Sequence, residues 1–167
     1  PEDAPLVGMV GRINAQKSHQ YFIMAASEVL KEEPESRFLI VGDGPLRQEQ
    51  ERLAKSLCID SNVIFTGYRT DIPRIVADLD ISALSSLTEA LAVVNMEAMA
   101  MGKPVVSFDV GGVSELVVNG KTGFLISPKD WKAFANAILE LIRDKGKAHQ
   151  MGLSGRRRVE EMFSLAV

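Results

Sequence analysis

The chain has 167 residues, of which 46% are hydrophobic and 25% are charged. These proportions are ordinary for a globular domain with one substantial core. A formal charge of −3 gives no general attraction to nucleic acid or to anionic lipid. The single cysteine, Cys58, excludes an internal disulfide framework and is typical of a reducing compartment, so we expect a cytoplasmic domain. The sequence contains no Cys/His cluster of the kind that binds zinc, and no apolar run long enough to span a bilayer.

Short apolar runs alternate with segments of helical periodicity along the whole chain. They predict, in order, strand 6–10, helix 19–30, strand 38–41, helix 46–57, strand 63–65, helix 71–77, strand 81–84, helix 90–101, strand 105–108, a short helix opening at 111, strand 122–126, helix 131–142 and helix 147–162. Alternation of this kind is typical of parallel sheets. We therefore predict an α/β fold, a doubly wound Rossmann-like parallel sheet of about six strands with helices on both faces.

The segment 85–108, SSLTEALAVVNMEAMAMGKPVVSF, carries two carboxylates eight positions apart, Glu89 and Glu97. Because residues 90–101 are apolar nearly all round, we expect their helix to be buried on most faces. We also expect the hydroxyl groups of Ser85, Ser86 and Thr88 to accept hydrogen bonds from the free backbone amides in the first turn of this helix.

Each of these carboxylates has a structural and a functional interpretation. A carboxylate on an apolar helix is costly unless it is paired. Glu97 is therefore either a solvent-facing or cation-paired residue, or an acceptor for the hydroxyl groups of a ligand. Glu89 is either a first-turn acid that stabilises its helix or a group beside a ligand, at a helix end that favours anions.

In a doubly wound sheet, ligands bind beyond the carboxyl ends of the strands, near the switch in strand order. Glycines there let backbone amides approach a ligand, and cations there neutralise phosphate. The candidates that follow the predicted strands are Gly11, Arg12, Lys17, Gly42, Asp43, Gly44, Gly67, Arg69, residues 85–90 and residues 109–112.

Two glycine-containing sequences among these candidates have alternative interpretations. GDG after the second strand resembles part of a dinucleotide fingerprint, but Arg47 stands at the third glycine position. No acidic residue ends that strand ahead of the glycines, which also disfavours a dinucleotide-dependent dehydrogenase. The pair Gly111-Gly112 is either a turn or a nest of amides for an anion.

Several segments together resemble a known enzyme domain: GMVGRINAQK, VGDGPL, VIFTGY and SSLTEALAVVNMEAMAMGKPVVSFDVGGVSELVVNGKTGFLISP. They are similar to the C-terminal, nucleotide-sugar-binding domain of retaining glycosyltransferases of family 4, also called group 1, which have the two-domain GT-B architecture. The most specific part is Glu-x7-Glu followed by EAMAMGKPVV and GGVSELV. The resemblance implies one domain over 1–167. Since the chain starts without Met and almost within a strand, we expect it to lack an N-terminal acceptor domain.

The resemblance implies a role for each candidate residue. Arg12 and Lys17 would hold the donor diphosphate and stabilise its charge as the glycosidic bond breaks. Glu97 would accept hydrogen bonds from the two ribose hydroxyls, and Glu89 would act beside the transferred sugar. The other donor-binding candidates are Gly11, Arg69 near the nucleobase, and the backbone of Ala90, Leu91 and Ala92.

The resemblance also implies substrates and partners. The donor would be a nucleotide sugar such as a UDP-, GDP- or ADP-sugar, with no cofactor, no metal and no nucleic acid. The acceptor, and any peripheral membrane association, would belong to the missing half, so the fragment alone would bind nucleotide but transfer little sugar. Ser18 and Ala90 stand where the family commonly has glycine. These departures favour an alternative, a non-catalytic nucleotide-binding or regulatory module of the same fold.

Overall fold

A computed structural model of the chain describes residues 3–163. Its centre is a six-stranded parallel sheet in the order β3-β2-β1-β4-β5-β6. The strands are β1 (Leu6–Val10), β2 (Arg37–Val41), β3 (Val63–Gly67), β4 (Ile81–Leu84), β5 (Val105–Phe108) and β6 (Gly123–Ile126). The order reverses between β1 and β4, which is the switch point at which doubly wound sheets bind their ligands.

Helices cover both faces of this sheet, seven of them within residues 3–163, which confirms the predicted fold. One layer packs α1 against α2 and α6, and another packs α4 against α3 and α7. The helices are α1 (His19–Glu32), α2 (Arg47–Ser56), α3 (Ile72–Asp78), α4 (Val93–Ala100), α5 (Val113–Leu116), α6 (Trp131–Arg143) and α7 (Lys145–Phe163). Among the helices of residues 3–163, none combines the length and the apolar character needed to cross a membrane.

The core lies where the helices meet the central strands. All four residues of β4 and all four of β5 are buried, as expected for strands covered on both faces. Phe108 at the end of β5 contacts Tyr21 of α1 and Phe134 of α6 edge to face, with ring centroids 5.7 and 5.2 Å apart. These contacts fix the start of α1 against the carboxyl edge of the sheet, where the candidate site lies.

The prediction for residues 90–101 is wrong in two respects. The helix starts at Val93 rather than Ala90, and only Asn95, Ala98 and Met99 of it are buried. Leu91 and Val93 are each 47% exposed, and Glu97 is also exposed. The reason is that α4 buries one face on the sheet and α7 and leaves the opposite face exposed. Its apolar residues lie on both faces, so the sequence shows no helical period that separates them.

The hydroxyl residues ahead of α4 are not its caps. No side chain caps the helix, whose N-cap residue is Ala92. Ser85, Ser86 and Thr88 belong to an extended loop before it, and Ser85 bonds to a different segment of the chain. Gly102 follows the C-cap residue of this helix, Met101, and has the positive φ of 72° that glycine tolerates best.

Candidate functional site

The candidate site is formed by two loops that leave neighbouring strands at the switch point. The β1–α1 loop comprises residues 11–18, and the β4–α4 loop comprises residues 85–92. Because β1 and β4 pair in parallel, both loops start at the same edge of the sheet. The loops lead to helices in different layers, because α1 packs with α2 and α6 whereas α4 packs with α3 and α7.

Hydrogen bonds join these two loops directly. The Leu87 amide donates to the Gln16 carbonyl oxygen at 2.9 Å. The Gln16 side chain returns a bond, from Nε2 to the Thr88 carbonyl oxygen at 2.9 Å. The buried Ser85 hydroxyl lies 3.1 Å from the Ser18 carbonyl oxygen, to which it donates. The two loops are therefore one structural unit, although about 70 residues separate them in sequence.

Two of the predicted site residues form an ion pair across this junction. Lys17 Nζ donates to Glu89 Oε1, and the side chains are 19% and 7% exposed. The aliphatic part of Lys17 lies over Gly11, where an added Cβ would be 3.5 Å from the lysine Cε. A carboxylate buried to this degree requires a charged partner, and Lys17 supplies it. The structure thus brings Gly11, Lys17 and Glu89 together.

A cleft of about 680 Å³ opens beside this pair, at the ends of β1, β2 and β3. Its volume is typical of a small-molecule site. It contains three predicted residues, Gly11, Arg12 and Arg69. Arg12 is exposed, and its guanidinium forms no ion pair with any residue between 3 and 163. Its charge is therefore available to an anionic ligand.

Arg69, by contrast, is already engaged. Its guanidinium donates two bonds to the Asp71 carboxylate, at 2.8 and 2.7 Å. This pairing raises the pKa of Arg69 and lowers that of Asp71, so both groups stay charged. Asp71 is the N-cap residue of α3, but its side chain makes no capping hydrogen bond to that helix. Tyr68 beside it is 81% exposed and presents a ring to the same cleft.

The remaining predicted residues lie around the start of α4. Ala92 is buried at the N-cap position, and no side chain caps the helix. Leu91 is exposed, and its carbonyl oxygen accepts a hydrogen bond from the Val93 amide at 2.8 Å. Glu97 lies one turn into α4, exposed rather than buried, and its carboxylate forms no hydrogen bond or ion pair within residues 3–163. The structure records no contact between Glu97 and the Lys17–Glu89 pair.

The two departures from the family pattern are compatible with the backbone. Ser18 adopts the left-handed conformation, with φ 50° and ψ 52°, which explains why glycine suits this position. Its hydroxyl donates to the Ala15 carbonyl oxygen at 2.6 Å, which offsets part of the conformational cost. Ala90 is exposed and has no positive φ, so its backbone conformation does not require glycine.

The pair Gly111-Gly112 forms a turn that packs against the backbone of Glu89 and Ala90. Gly111 has a φ of 53°, and an added Cβ would lie 1.6 Å from the Glu89 carbonyl oxygen. At Gly112 an added Cβ would lie 2.4 Å from the Ala90 carbonyl oxygen. Only glycine lets the segment after β5 approach this closely. Of the two interpretations, the structure therefore favours the turn, and the glycine pair itself was the sequence signal for a close backbone approach.

His19, the first residue of α1, is a buried group that sequence reasoning did not connect to the site. It is 1% exposed, and neither ring nitrogen has a hydrogen-bond partner within residues 3–163. Burial, and to a smaller extent the charge of Lys17, lower the pKa of His19 from 6.5 to about 4. The imidazole is therefore neutral at physiological pH and adds no charge beside Lys17.

This shift predicts acid sensitivity of the fold. Between pH 6.5 and 4 the unfolded chain binds more protons at His19 than the folded chain does, so stability falls as the pH falls. Between pH 7.5 and 5 we expect a loss of about 2 kcal/mol in the free energy of unfolding, from a shift of this size. Urea unfolding at both pH values measures it. His19→Leu should reduce this dependence of stability on pH, whereas His149→Leu, at an exposed histidine, should leave it unchanged. The same pH dependence in the wild-type chain and both variants would contradict the role of His19.

A second cavity, of about 270 Å³, lies at the opposite, amino-terminal edge of the sheet, beside Asp80, Lys103 and Pro104. It contains none of the predicted site residues. No three His, Cys, Asp or Glu side chains between residues 3 and 163 converge as metal ligands do. The predicted site residues instead meet at the carboxyl edge of the sheet, at the Lys17–Glu89 pair and in the neighbouring cleft that contains Gly11, Arg12 and Arg69.

The fold and the position of this site define the chain as a doubly wound domain of the kind that forms one half of GT-B glycosyltransferases. The family model of glycosyl transferases group 1 matches residues 1–158. The chain belongs to this family.

Two relatives illustrate the range of the family. The chain is 35% identical to an alpha-D-kanosaminyltransferase of Streptomyces kanamyceticus, over 99% of the chain and 43% of that protein. It is 32% identical to a GDP-mannose-dependent phosphatidylinositol monomannoside mannosyltransferase of Mycolicibacterium smegmatis, over 92% of the chain and 43% of that protein. The chain thus spans less than half the length of these curated relatives.

Among solved structures, the chain is similar to Anabaena HepE, determined with UDP and with UDP-glucose. The TM-scores are 0.91 and 0.90, at 30% sequence identity, covering 96% of this chain and 45% of HepE. The likeness shows that the similarity of sequence extends to the whole arrangement of strands and helices.

Proposed function

We propose that this chain is the donor-binding domain of a longer enzyme, which transfers a sugar from a nucleoside-diphosphate sugar to an acceptor hydroxyl and retains the anomeric configuration. The observation that carries the proposal is the Lys17–Glu89 pair at the switch point, together with the guanidinium of Arg12, which forms no ion pair within residues 3–163. Family membership and the nucleotide complexes of HepE support a nucleotide sugar as the ligand.

The chemistry requires charge stabilisation at the leaving group. As the bond between the sugar and the diphosphate breaks, its electron pair remains on the phosphate oxygen, and the negative charge there increases. Arg12, Lys17 and the uncapped first turn of α4 would supply preorganised positive charge at that oxygen. We propose that these groups neutralise the diphosphate without a metal ion.

The two carboxylates would have separate tasks in the donor complex. Glu97 is exposed and unpaired within residues 3–163, so both of its oxygens are available to the two ribose hydroxyls. Glu89 is buried and paired with Lys17, so it would lie beside the transferred sugar and orient the Lys17 ammonium group. The cleft that contains Tyr68 and Arg69 would then receive the nucleobase. We propose that the acceptor binds to a further domain.

The alternative, a non-catalytic module, depended on Ser18 and Ala90. Both residues are compatible with the backbone of their loops: the Ser18 hydroxyl bonds within its loop, and Ala90 has no positive φ. No feature of the site favours this alternative over a transferase, so we retain the catalytic proposal.

Calorimetric titration of the chain with UDP, GDP, ADP and NAD tests the proposal. We expect at least one nucleoside diphosphate to bind and NAD to bind weakly or not at all, because Arg12 and Lys17 form a diphosphate site without the dinucleotide glycine pattern. Lys17→Ala should abolish most of this affinity, and Lys103→Ala, at the cavity on the opposite edge, should not. We also expect the chain alone to transfer little or no sugar. Binding of none of the four ligands would refute the proposed function, and robust transfer by the chain alone would refute the need for a further domain.

A further inference from the structure

Gln16, the residue before Lys17, connects the two loops of the site through both its backbone and its side chain. Its carbonyl oxygen accepts from the Leu87 amide at 2.9 Å, and its Nε2 donates to the Thr88 carbonyl oxygen at 2.9 Å. Gln16 and Thr88 are both exposed, so these bonds are not a consequence of core packing. Thr88 immediately precedes Glu89. The Gln16–Thr88 bond and the Lys17–Glu89 pair are therefore consecutive links between the same two loops.

We propose that Gln16 is a positioning residue for donor binding, one that acts through Lys17. This inference rests on the proposed function of the Lys17–Glu89 pair. A lysine side chain has four rotatable bonds and presents a compact charge, so the position of its ammonium depends on how firmly its own backbone is held. Gln16 holds that backbone on the amino-terminal side. On the other side, the Ser85 hydroxyl lies 3.3 Å from the Lys17 carbonyl oxygen and 3.1 Å from that of Ser18.

The chemistry of the Gln16 side chain makes the proposal specific. Thr88 offers a carbonyl oxygen, which only accepts hydrogen bonds, so residue 16 must donate. Gln16→Ala removes the donor and keeps the backbone bond to Leu87. Gln16→Glu has nearly the same shape but places a carboxylate oxygen against the carbonyl oxygen, so it should separate the loops more than alanine does. Gln48, an exposed glutamine on α2, provides matched controls as Gln48→Ala and Gln48→Glu.

Hydrogen exchange of the Leu87 amide gives a readout that requires no ligand. We expect this amide to exchange faster in Gln16→Ala than in the wild-type chain, and faster still in Gln16→Glu. Without the bond from the Gln16 side chain to Thr88, the neighbouring backbone bond from Leu87 to Gln16 should open more often. The Gln48 variants should exchange as the wild-type chain does. Exchange at Leu87 that is unchanged in both Gln16 variants would overturn the proposal, whatever the ligand is.

A double-mutant cycle on UDP affinity then distinguishes positioning from general weakening of the loops. We expect Gln16→Ala to weaken UDP binding by about tenfold in the wild-type background, and to have little further effect in Lys17→Met, because the residues act as one unit. An equal loss in both backgrounds, or no loss in the first, would overturn the positioning role and leave the proposed function intact. If the wild-type chain bound no nucleoside diphosphate, the proposed function would fail and this role with it.

Discussion

Gly111→Ala is expected to lower the free energy of unfolding by about 3 kcal/mol and to abolish nucleotide binding. Two costs combine: a non-glycine residue in the left-handed region costs about 1–2 kcal/mol, and overpacking a tight contact costs about 1–3 kcal/mol. The second cost is unavoidable here because the new methyl carbon would lie 1.6 Å from the Glu89 carbonyl oxygen, which is backbone and cannot move aside alone. The β4–α4 loop must shift, and Glu89 shifts with it.

Gly120→Ala is the matched control for this prediction. Gly120 has a φ of 79°, so alanine pays the same conformational cost, but an added Cβ there meets no atom within 4 Å. We expect a loss of about 1 kcal/mol and no change in nucleotide affinity. Urea unfolding measures the stability of both variants, and calorimetric titration measures their nucleotide affinity. If the two substitutions cost the same stability, or if Gly111→Ala bound nucleotide normally, Gly111 would not be supporting Glu89.

The fold was predictable because each strand is a short apolar run that ends in glycine or a polar turn. The predicted bounds of β1, β4 and β5 agree with the structure residue for residue, and the start of α6 at Trp131 also agrees, where the Asp130 side chain caps the helix. The start of α4 was not predictable, because the apolar residues from Ala90 onward have neither a cap nor a period that separates loop from helix.

The site was predictable only in its outline. The rule that ligands bind at the carboxyl edge of such sheets was enough to select Lys17 and Glu89 separately. Their ion pair was not predictable, since it joins residues 72 positions apart whose distance is set by the strand order. The sequence left the position of Glu97 open, because its neighbours in sequence are apolar and its exposure depends on which face of α4 meets the sheet. Gln16 carries no local signal at all, because its role exists only through the opposite loop.

Lys17→Met is expected to lower both activity and stability, and the two effects are separable. In the full-length enzyme that we propose, loss of one preorganised positive group should reduce kcat by about 10²–10³. The substitution also leaves the carboxylate of Glu89, whose side chain is 7% exposed, without its partner. Breaking a buried pair in this way costs about 3 kcal/mol. Adding Glu89→Gln removes the unpaired charge, so the double variant should recover most of the stability but none of the activity.

Arg12→Ala separates the same two effects from the other direction. Arg12 is exposed and unpaired within residues 3–163, so its loss should change the free energy of unfolding by less than about 0.5 kcal/mol. It should still reduce kcat by about 10²-fold, because it removes a group that stabilises the leaving diphosphate. Arg52→Ala, at an exposed arginine on α2, should change neither quantity. Release of nucleoside diphosphate measures the rate, and urea unfolding measures the stability.

Wild-type activity in Arg12→Ala would remove Arg12 from the mechanism. Recovery of activity in the double variant Lys17→Met/Glu89→Gln would show that the pair maintains the structure and does not take part in catalysis.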